Sequence, residues 1–322
     1  MKAAFTETEV LDFLLNIPDH ERTELEAILG FTWDNKTIRR HIFEDPDFDH
    51  NFLVIATAKS CGKENYDNQI HGLAFGLQRI WKKGKKDAWV KIVYVRDDMR
   101  GKGIGRRILK ELEDKLAIAG ATKLIFGSSS PFYLMPGLPQ SHEPSLQFFL
   151  KQGWNSQSTR QNLKIILSHD SQPLLEKIET LQQEKPKYIV KEAQNAEEKE
   201  LLQFIETEFS KSWAKETQNA IIQKKEKKFV IYLKNAQYQS IGGFVAIGAT
   251  NPNWLGPMGV KKSLRRQGFG NWLLLVAIHI AQTRNMEHLI VPWVNEANTK
   301  FYGDCADARL HTVFWKLEKD LN

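Results

Sequence analysis

Cysteine is nearly absent from this chain: among 322 residues only Cys61 and Cys305 occur, one in each half. That scarcity excludes a disulfide-stapled scaffold and fits a reducing compartment. Cys305 reads as a small packed residue, with a reactive thiol as the alternative. Long apolar runs are missing too, so no stretch of the sequence can cross a bilayer as a helix. The opening residues, Met1 to Glu9, lack the charged start and apolar core of an export signal, and a cytoplasmic protein with no membrane partner is expected. No His/Cys cluster has zinc-site spacing and no Gly-x-Ser-x-Gly elbow presents a serine nucleophile, so neither a metal nor a serine acyl-enzyme is expected. Two common phosphate loops are absent as well. No strand runs into the Gly-x4-Gly-Lys-[Ser/Thr] of nucleoside-triphosphate sites, and none into the Gly-x-Gly-x-x-Gly of dinucleotide sites.

What is present is an ordinary globular balance, 42% hydrophobic and 26% charged, in a chain long enough for two domains with separate cores. The net charge is +6. Its densest basic run, Lys82-Lys-Gly-Lys-Lys86, has no interleaved aromatics and reads as the solvated tip of a strand-to-strand turn. A nucleic-acid partner is therefore not expected. Nothing in the sequence fixes the oligomeric state.

One pattern occurs twice. Val95-x4-Arg100-Gly-Lys-Gly-Ile-Gly105 and Val260-x4-Arg265-Arg-Gln-Gly-Phe-Gly270 share Val-x4-Arg-x2-Gly-x-Gly. Each copy follows a strand-like run, Trp89 to Val95 or Trp254 to Val260, and each precedes an amphipathic helix. In a strand, glycine loop and helix of this kind, main-chain N–H groups close around a phosphate and the helix N-terminus adds partial positive charge. Arg100 and Arg265 supply matching cations, and Lys102, Arg106, Arg107, Lys261, Lys262 and Arg266 lie near enough to assist.

Around each loop the order of elements also repeats. The first copy is preceded by helical patterns at Glu9–Asn16 and Lys36–Phe43 and by strands at Phe52–Thr57 and Ile70–Leu77. It is followed by a helix to Ala119, a strand at Lys123–Phe126, a Pro/Gly-rich loop at Pro131–Pro139, a helix at Pro144–Lys151 and strands near Trp154 and Leu163–Leu167. The second copy has a helix at Glu197–Glu208 and strands at Phe229–Leu233 and Ile241–Ile247 before it. After it come a helix to about Arg284, a strand at His288–Pro292, a helix at Glu296–Tyr302 and a strand at His311–Lys316.

The motif resembles the acyl-coenzyme A pyrophosphate loop of the GNAT superfamily of acyltransferases, whose signature is Arg/Gln-x-x-Gly-x-Gly/Ala at this strand-to-helix junction. The resemblance implies an α/β chain of the α+β type, with two tandem GNAT domains, each a splayed mixed β-sheet flanked by helices. The expected division is a first domain over 1–170, a linker over 171–186 and a second domain over 187–322. Acetyl-CoA is the implied co-substrate. The implied contacts are Val93, Val95, Arg100, Gly101, Lys102, Gly103, Ile104, Gly105 and Arg106 in one unit. In the other they are Met258, Val260, Arg265, Arg266, Gln267, Gly268, Phe269, Gly270 and Asn295. Strand residues of this set meet pantetheine through main-chain groups, one of which polarises the thioester carbonyl.

A further element of the family is a helix reading Asn-x-x-Ala-x-x-Phe-Tyr, whose tyrosine protonates the departing thiolate. The second unit has Asn295-Glu-Ala-Asn298-Thr-Lys-Phe301-Tyr302, whereas the first has Ser145-Leu-Gln-Phe148-Phe149. A phenol of pKa ~10 can serve a thiolate of pKa ~8.5, and phenylalanine cannot. Tyr302 is thus the expected general acid. The first unit is expected to be degenerate, regulatory, or dependent on another acid such as Tyr133 or His142. The family's Gly-Phe after this helix is Gly153-Trp154 in the first unit but Ala306-Asp307 in the second, which implies a reshaped turn there.

The implied reaction is direct transfer to a primary amine of a small molecule. Two-domain members that acetylate glucosamine share the Gly-Pro strand, the tandem layout and the Pro/Gly-rich segment, which suggests an amino sugar; thiol-cofactor precursors and aminoglycosides stay open. For a base the second unit offers Glu206, Glu208 and Glu287, with His279 and His288 as lesser candidates, and Trp213, Trp254 and Trp293 are candidates to stack on a sugar. The contrasting reading is a non-catalytic acyl-CoA-binding module with a regulatory or assembly role.

Overall fold

The computed structural model describes residues 5–57, 69–80, 86–168, 170–222 and 228–321. Cys61 and the basic turn at Lys82–Lys85 lie outside them. The chain forms two compact units, one of residues 1–160 with 314–322 and the other of residues 161–313. This division differs from the one expected from sequence: the presumed linker and the last strand of each half belong elsewhere.

The first unit begins with α1 (Glu7–Leu15), α2 (Asp19–Leu29) and α3 (Asn35–Ile42). Thr6 caps α1 in a capping box with Glu9, and Asp34 caps α3 through the Thr37 N–H. There follow β1 (Leu53–Thr57), β2 (Ile70–Ile80), β3 (Lys86–Val95), α4 (Ile104–Ile118), β4 (Lys123–Phe126), a two-residue β5 (Leu138–Pro139) and α5 (Glu143–Lys151). β1, β2 and β3 pair antiparallel, β3 pairs β4 parallel, and residues 318–320 pair β4 antiparallel. Those residues belong to the chain's last strand. Lys319 is tied in by Glu113 Oε2 and the Gln152 carbonyl, each 2.7 Å from its ammonium. One face of the sheet is packed by Ile108, Leu109, Leu112 and Leu116 of α4, and the other by Val10, Leu11, Leu14, Ile38 and Ile42.

β6 (Asn155–Ile166) carries the chain into the second unit, which continues with α6 (Gln172–Glu184), β7 (Tyr188–Glu192), α7 (Glu198–Glu208) and α8 (Lys211–Ile222). Next come β8 (Phe229–Asn235), β9 (Ile241–Ile247), β10 (Leu255–Val260), α9 (Phe269–Thr283), β11 (His288–Val294) and α10 (Glu296–Ala306). β12 (Arg309–Asp320) leads back out. An antiparallel sheet runs β10-β9-β8-β7, and β11 pairs antiparallel with residues 161–166 of β6. α6 is no free linker: Leu174, Ile178 and Leu181, at helical spacing, pack on the core that α9 builds. Among the described residues, no helix is long and apolar enough to cross a membrane.

Candidate active site

Both repeat motifs fold alike. Each strand ends in a 3₁₀ turn, at Asp97–Met99 and Lys262–Leu264, and a glycine in the left-handed region then caps a helix: Gly103 at φ 76° for α4, Gly268 at φ 80° for α9. A side chain at either residue would carry strain, which explains the glycines. Neither helix has a side-chain cap or an acidic residue in its first turn, so the leading N–H groups stay available to an anion. A Cβ on Gly101 or Gly103 would meet nothing within 4 Å, so the loop offers open space beside its main chain. Ile104 and Phe269 are buried anchors of their helices, and the side chains of Lys102, Arg106, Arg265, Arg266 and Gln267 are exposed. The cradle fits a pyrophosphate.

The two arginines act first on their own loops. Arg100 Nε donates to the Val95 carbonyl at 3.1 Å, and Arg265 Nε to the Val260 carbonyl at 3.0 Å. Beyond that they part. Arg100 also pairs with Glu21 of α2 and with Asp97 at 3.1 Å. Among the described residues no carboxylate is paired with Arg265.

The sheet opens beside each loop. In the first unit β3 is held by β4 only through Ala88–Val90, and in the second a bridge from Trp254, the residue before β10, to Ile290 of β11 is the ladder contact between them among the described residues. On the closed side Arg96 N donates to the His71 carbonyl and Lys261 N to the Gly242 carbonyl. Main-chain groups alternate sides along a strand, so those of Val93 and Val95, and of Met258 and Val260, face the opening. A bulge precedes each of these pairs, at Lys91 and at Gly256-Pro257.

Across the opening in the second unit stands α10. Phe301 touches the loop helix, 3.5 Å from where a Cβ of Gly270 would stand. Tyr302 Oη is 3.9 Å from Met258 Sδ, so the phenol borders the strand residue whose main chain faces the gap. Burial pushes its pKa up to about 12, which keeps the proton on the oxygen at neutral pH. The first unit repeats the scaffold without the acid: Phe148 touches Gly105 at the same 3.5 Å, and Phe149 is buried among Phe126, Phe148 and Trp154.

A family model described as acetyltransferase (GNAT) family matches residues 23–131 and again 198–306, more than half of the chain. The chain belongs to the GNAT family. It is a tandem of two GNAT domains, in which helices flank a mixed sheet. No curated protein sequence matches it. Among solved structures it is similar to a GCN5-related glucosamine N-acetyltransferase region of a fungal multi-domain GH3 β-N-acetylglucosaminidase, at 16% identity and TM-score 0.73. That likeness covers 98% of this chain and 37% of the fungal one, so the chain spans little more than a third of that protein's length. It is also similar to a GCN5-related N-acetyltransferase from Sphaerobacter thermophilus, at 13% identity and TM-score 0.60, covering 92% and 89% of the two chains. A third is a tandem GNAT protein from the clavulanic acid biosynthesis pathway, at 11% identity and TM-score 0.55, covering 80% and 81%.

Within this GNAT tandem the remaining sequence candidates are spread out. Asn295 caps α10, its Oδ1 accepting from Asn298 N at 3.0 Å. Trp254 is core at 1% exposure, and Glu206 and Glu287 are exposed. Glu208 pairs with Lys261 at 3.3 Å beside the end of β10. Next to it Phe209 covers Gly259 and stacks on Trp213 at 5.4 Å, making an aromatic wall on the face of β10 away from α9. On α8, one turn beyond Trp213, Glu216 is a buried carboxylate. The sequence gives little signal for it because α8 is rich in polar residues, among which Glu216 does not stand out. In the first unit that face is filled instead by ionic groups. Asp45, fully buried, binds Lys91 Nζ at 2.8 Å and Arg79 Nη2 at 3.1 Å. Burial lowers the Lys91 pKa to about 8, with Asp45 opposing the shift. His142 pairs with Glu24 at 3.0 Å, and Tyr133 is buried.

Proposed function

We propose that the second unit moves the acetyl group of acetyl-CoA to the primary amine of a small molecule, with an amino sugar as the favoured acceptor class. The observation that carries this reading is the phenol of Tyr302 beside Met258, at the strand opening and next to the glycine loop. The loop from Arg265 to Gly270 would hold the pyrophosphate, and the outward main-chain groups of Met258 and Val260 would hold the pantetheine arm. An N–H in that row donates to the thioester oxygen as negative charge develops on it. The amine nitrogen bonds to the acetyl carbon, the carbon–sulfur bond breaks, and Tyr302 donates its proton to the departing sulfur. The amine's proton leaves to water or to a carboxylate of the α8 wall, of which Glu216 is the buried one. The likeness to the fungal glucosamine N-acetyltransferase region supports the amino-sugar class, and the Phe209–Trp213 wall suits the flat face of a sugar ring.

We assign the first unit no transfer step, because Phe149 stands where the acid is needed and Glu21 already occupies Arg100. Calorimetric titration with acetyl-CoA, together with an assay of acetyl transfer to glucosamine, tests both assignments, using wild type, Gly103→Glu and Gly268→Glu. Loss of acetyl transfer to glucosamine in Gly268→Glu, with transfer retained in Gly103→Glu, is expected. A wild type that binds no acetyl-CoA would sink the reading.

A further inference from the structure

We infer that Lys185, at the C-terminal end of α6, is a pyrophosphate-binding residue of the second unit's loop, an inference that rests on the reading of that loop given above. Its side chain is 15% exposed, and its Nζ and Cε each lie 3.5 Å from the point where a Cβ on Gly268 would stand. Gly268 begins α9, so the ammonium sits at the positive end of a helix whose leading N–H groups carry no capping side chain. A cation at that end of a helix is unfavourable unless an anion lies between them. The carboxylate paired with it is Glu184, at 3.1 Å and 59% exposed, where water screens the attraction. Arg265 and Arg266, exposed in the same loop, add two further positive charges. An ammonium, two guanidiniums and a helix terminus on one loop are the partners of a doubly charged phosphate group.

Lys185 is positioned by packing. Leu181, four residues earlier, is set in the core shared with α9, and three residues later the Tyr188 ring lies 4.6 Å from that of Phe269 in the loop. Tyr188 N also donates to the Lys185 carbonyl at 3.0 Å. The first unit has no counterpart: nothing lies within 4 Å of a Cβ built on Gly103, and Arg100 is held by Glu21. Two loops with one motif have thus diverged in charge, the second gaining a cation and the first having one neutralised.

The test is calorimetric titration of the full chain, as wild type, Lys185→Gln, Lys185→Arg and Gly268→Glu, with three ligands. Acetyl-CoA carries both phosphate sites, its 3′-dephospho form keeps the pyrophosphate, and S-acetyl-pantetheine has neither. Lys185→Gln should bind the first two about tenfold more weakly and the third unchanged, the loss of one charge-assisted bond, with Lys185→Arg close to wild type. Its melting temperature without ligand should stay level, because the charge removed is unfavourable at the start of α9 and favourable at the end of α6. Weakening confined to acetyl-CoA would move Lys185 to the 3′-phosphate and overturn the assignment. Equal weakening for all three ligands, or a lower melting temperature, would make it a structural residue. Wild-type affinity in Lys185→Gln alongside loss in Gly268→Glu would overturn this inference and leave the loop reading standing. Failure of the wild type to bind any of the three would overturn both.

Discussion

Replacing Tyr302 by phenylalanine removes one oxygen, which lies 3.9 Å from Met258 Sδ, and leaves the ring packed edge-on against Phe301 at 5.0 Å. The structural cost is therefore small, below about 1 kcal/mol, and acetyl-CoA should bind as it does to wild type. The chemical cost is large. A positioned general acid contributes roughly 10²- to 10⁴-fold, so kcat should fall by that factor, about 3–5 kcal/mol of activation free energy. The assay is release of free coenzyme A thiol with glucosamine and a panel of primary amines as acceptors. Because burial pushes the phenol up to about 12, this group should cause no alkaline loss of wild-type kcat below about pH 10. Stability carries a second signature. The unfolded phenol ionises near pH 10 and the folded one near 12, so the unfolded state binds fewer protons between them. The wild type should lose up to about 3 kcal/mol as pH rises across that window, while the contribution is fully present below it; Tyr302→Phe should lack this slope. A variant with kcat within threefold of wild type at equal cofactor affinity would refute the assignment.

Three further outcomes follow from the geometry. Arg266 has φ 60°, where the first unit has Gly101, so Arg266→Gly should relieve about 1 kcal/mol, raise the melting temperature of the second unit by about 2–4 °C and weaken acetyl-CoA binding. A Cβ on Gly137 would lie 2.2 Å from the Trp315 carbonyl oxygen, so Gly137→Ala should destabilise the first unit by about 2–3 kcal/mol, read by chemical denaturation. Lys91 is folded with a pKa of about 8 against about 10.5 when exposed, so between those values the unfolded state binds more protons and stability rises with pH. Denaturation of wild type and Lys91→Met between pH 7.5 and 9.5 should show a rise in the former that the latter lacks.

Much of the loop-bearing half of each unit was legible in the sequence because its signals are local. Glycines at Gly103 and Gly268 are required by their own φ values, and the helices after them show apolar residues at helical spacing. The rows at Val93–Val95 and Met258–Val260 are implied by the family resemblance and not by a pattern in these residues themselves. Helices with weak patterns were not legible: α2 buries Ile28 and Leu29, and α8 is rich in polar residues. α6 looked like a charged linker, since its four apolar residues in thirteen, three of which meet the core, gain meaning only once α9 lies against them.

The sequence alone determined the two glycine loops, the family, and the contrast between Tyr302 and Phe149, since each depends on residue type at fixed short spacing. Tertiary structure decided what long-range pairing controls. Glu113 accepts from Lys319, 206 residues away, in fixing the last strand on the first unit, and no local pattern encodes such a partner. The clamp of Glu21 on Arg100 and the approach of Lys185 to Gly268 are of the same kind. Charge acts through space rather than along the chain, so two loops written alike in sequence become unlike only when folding chooses their neighbours.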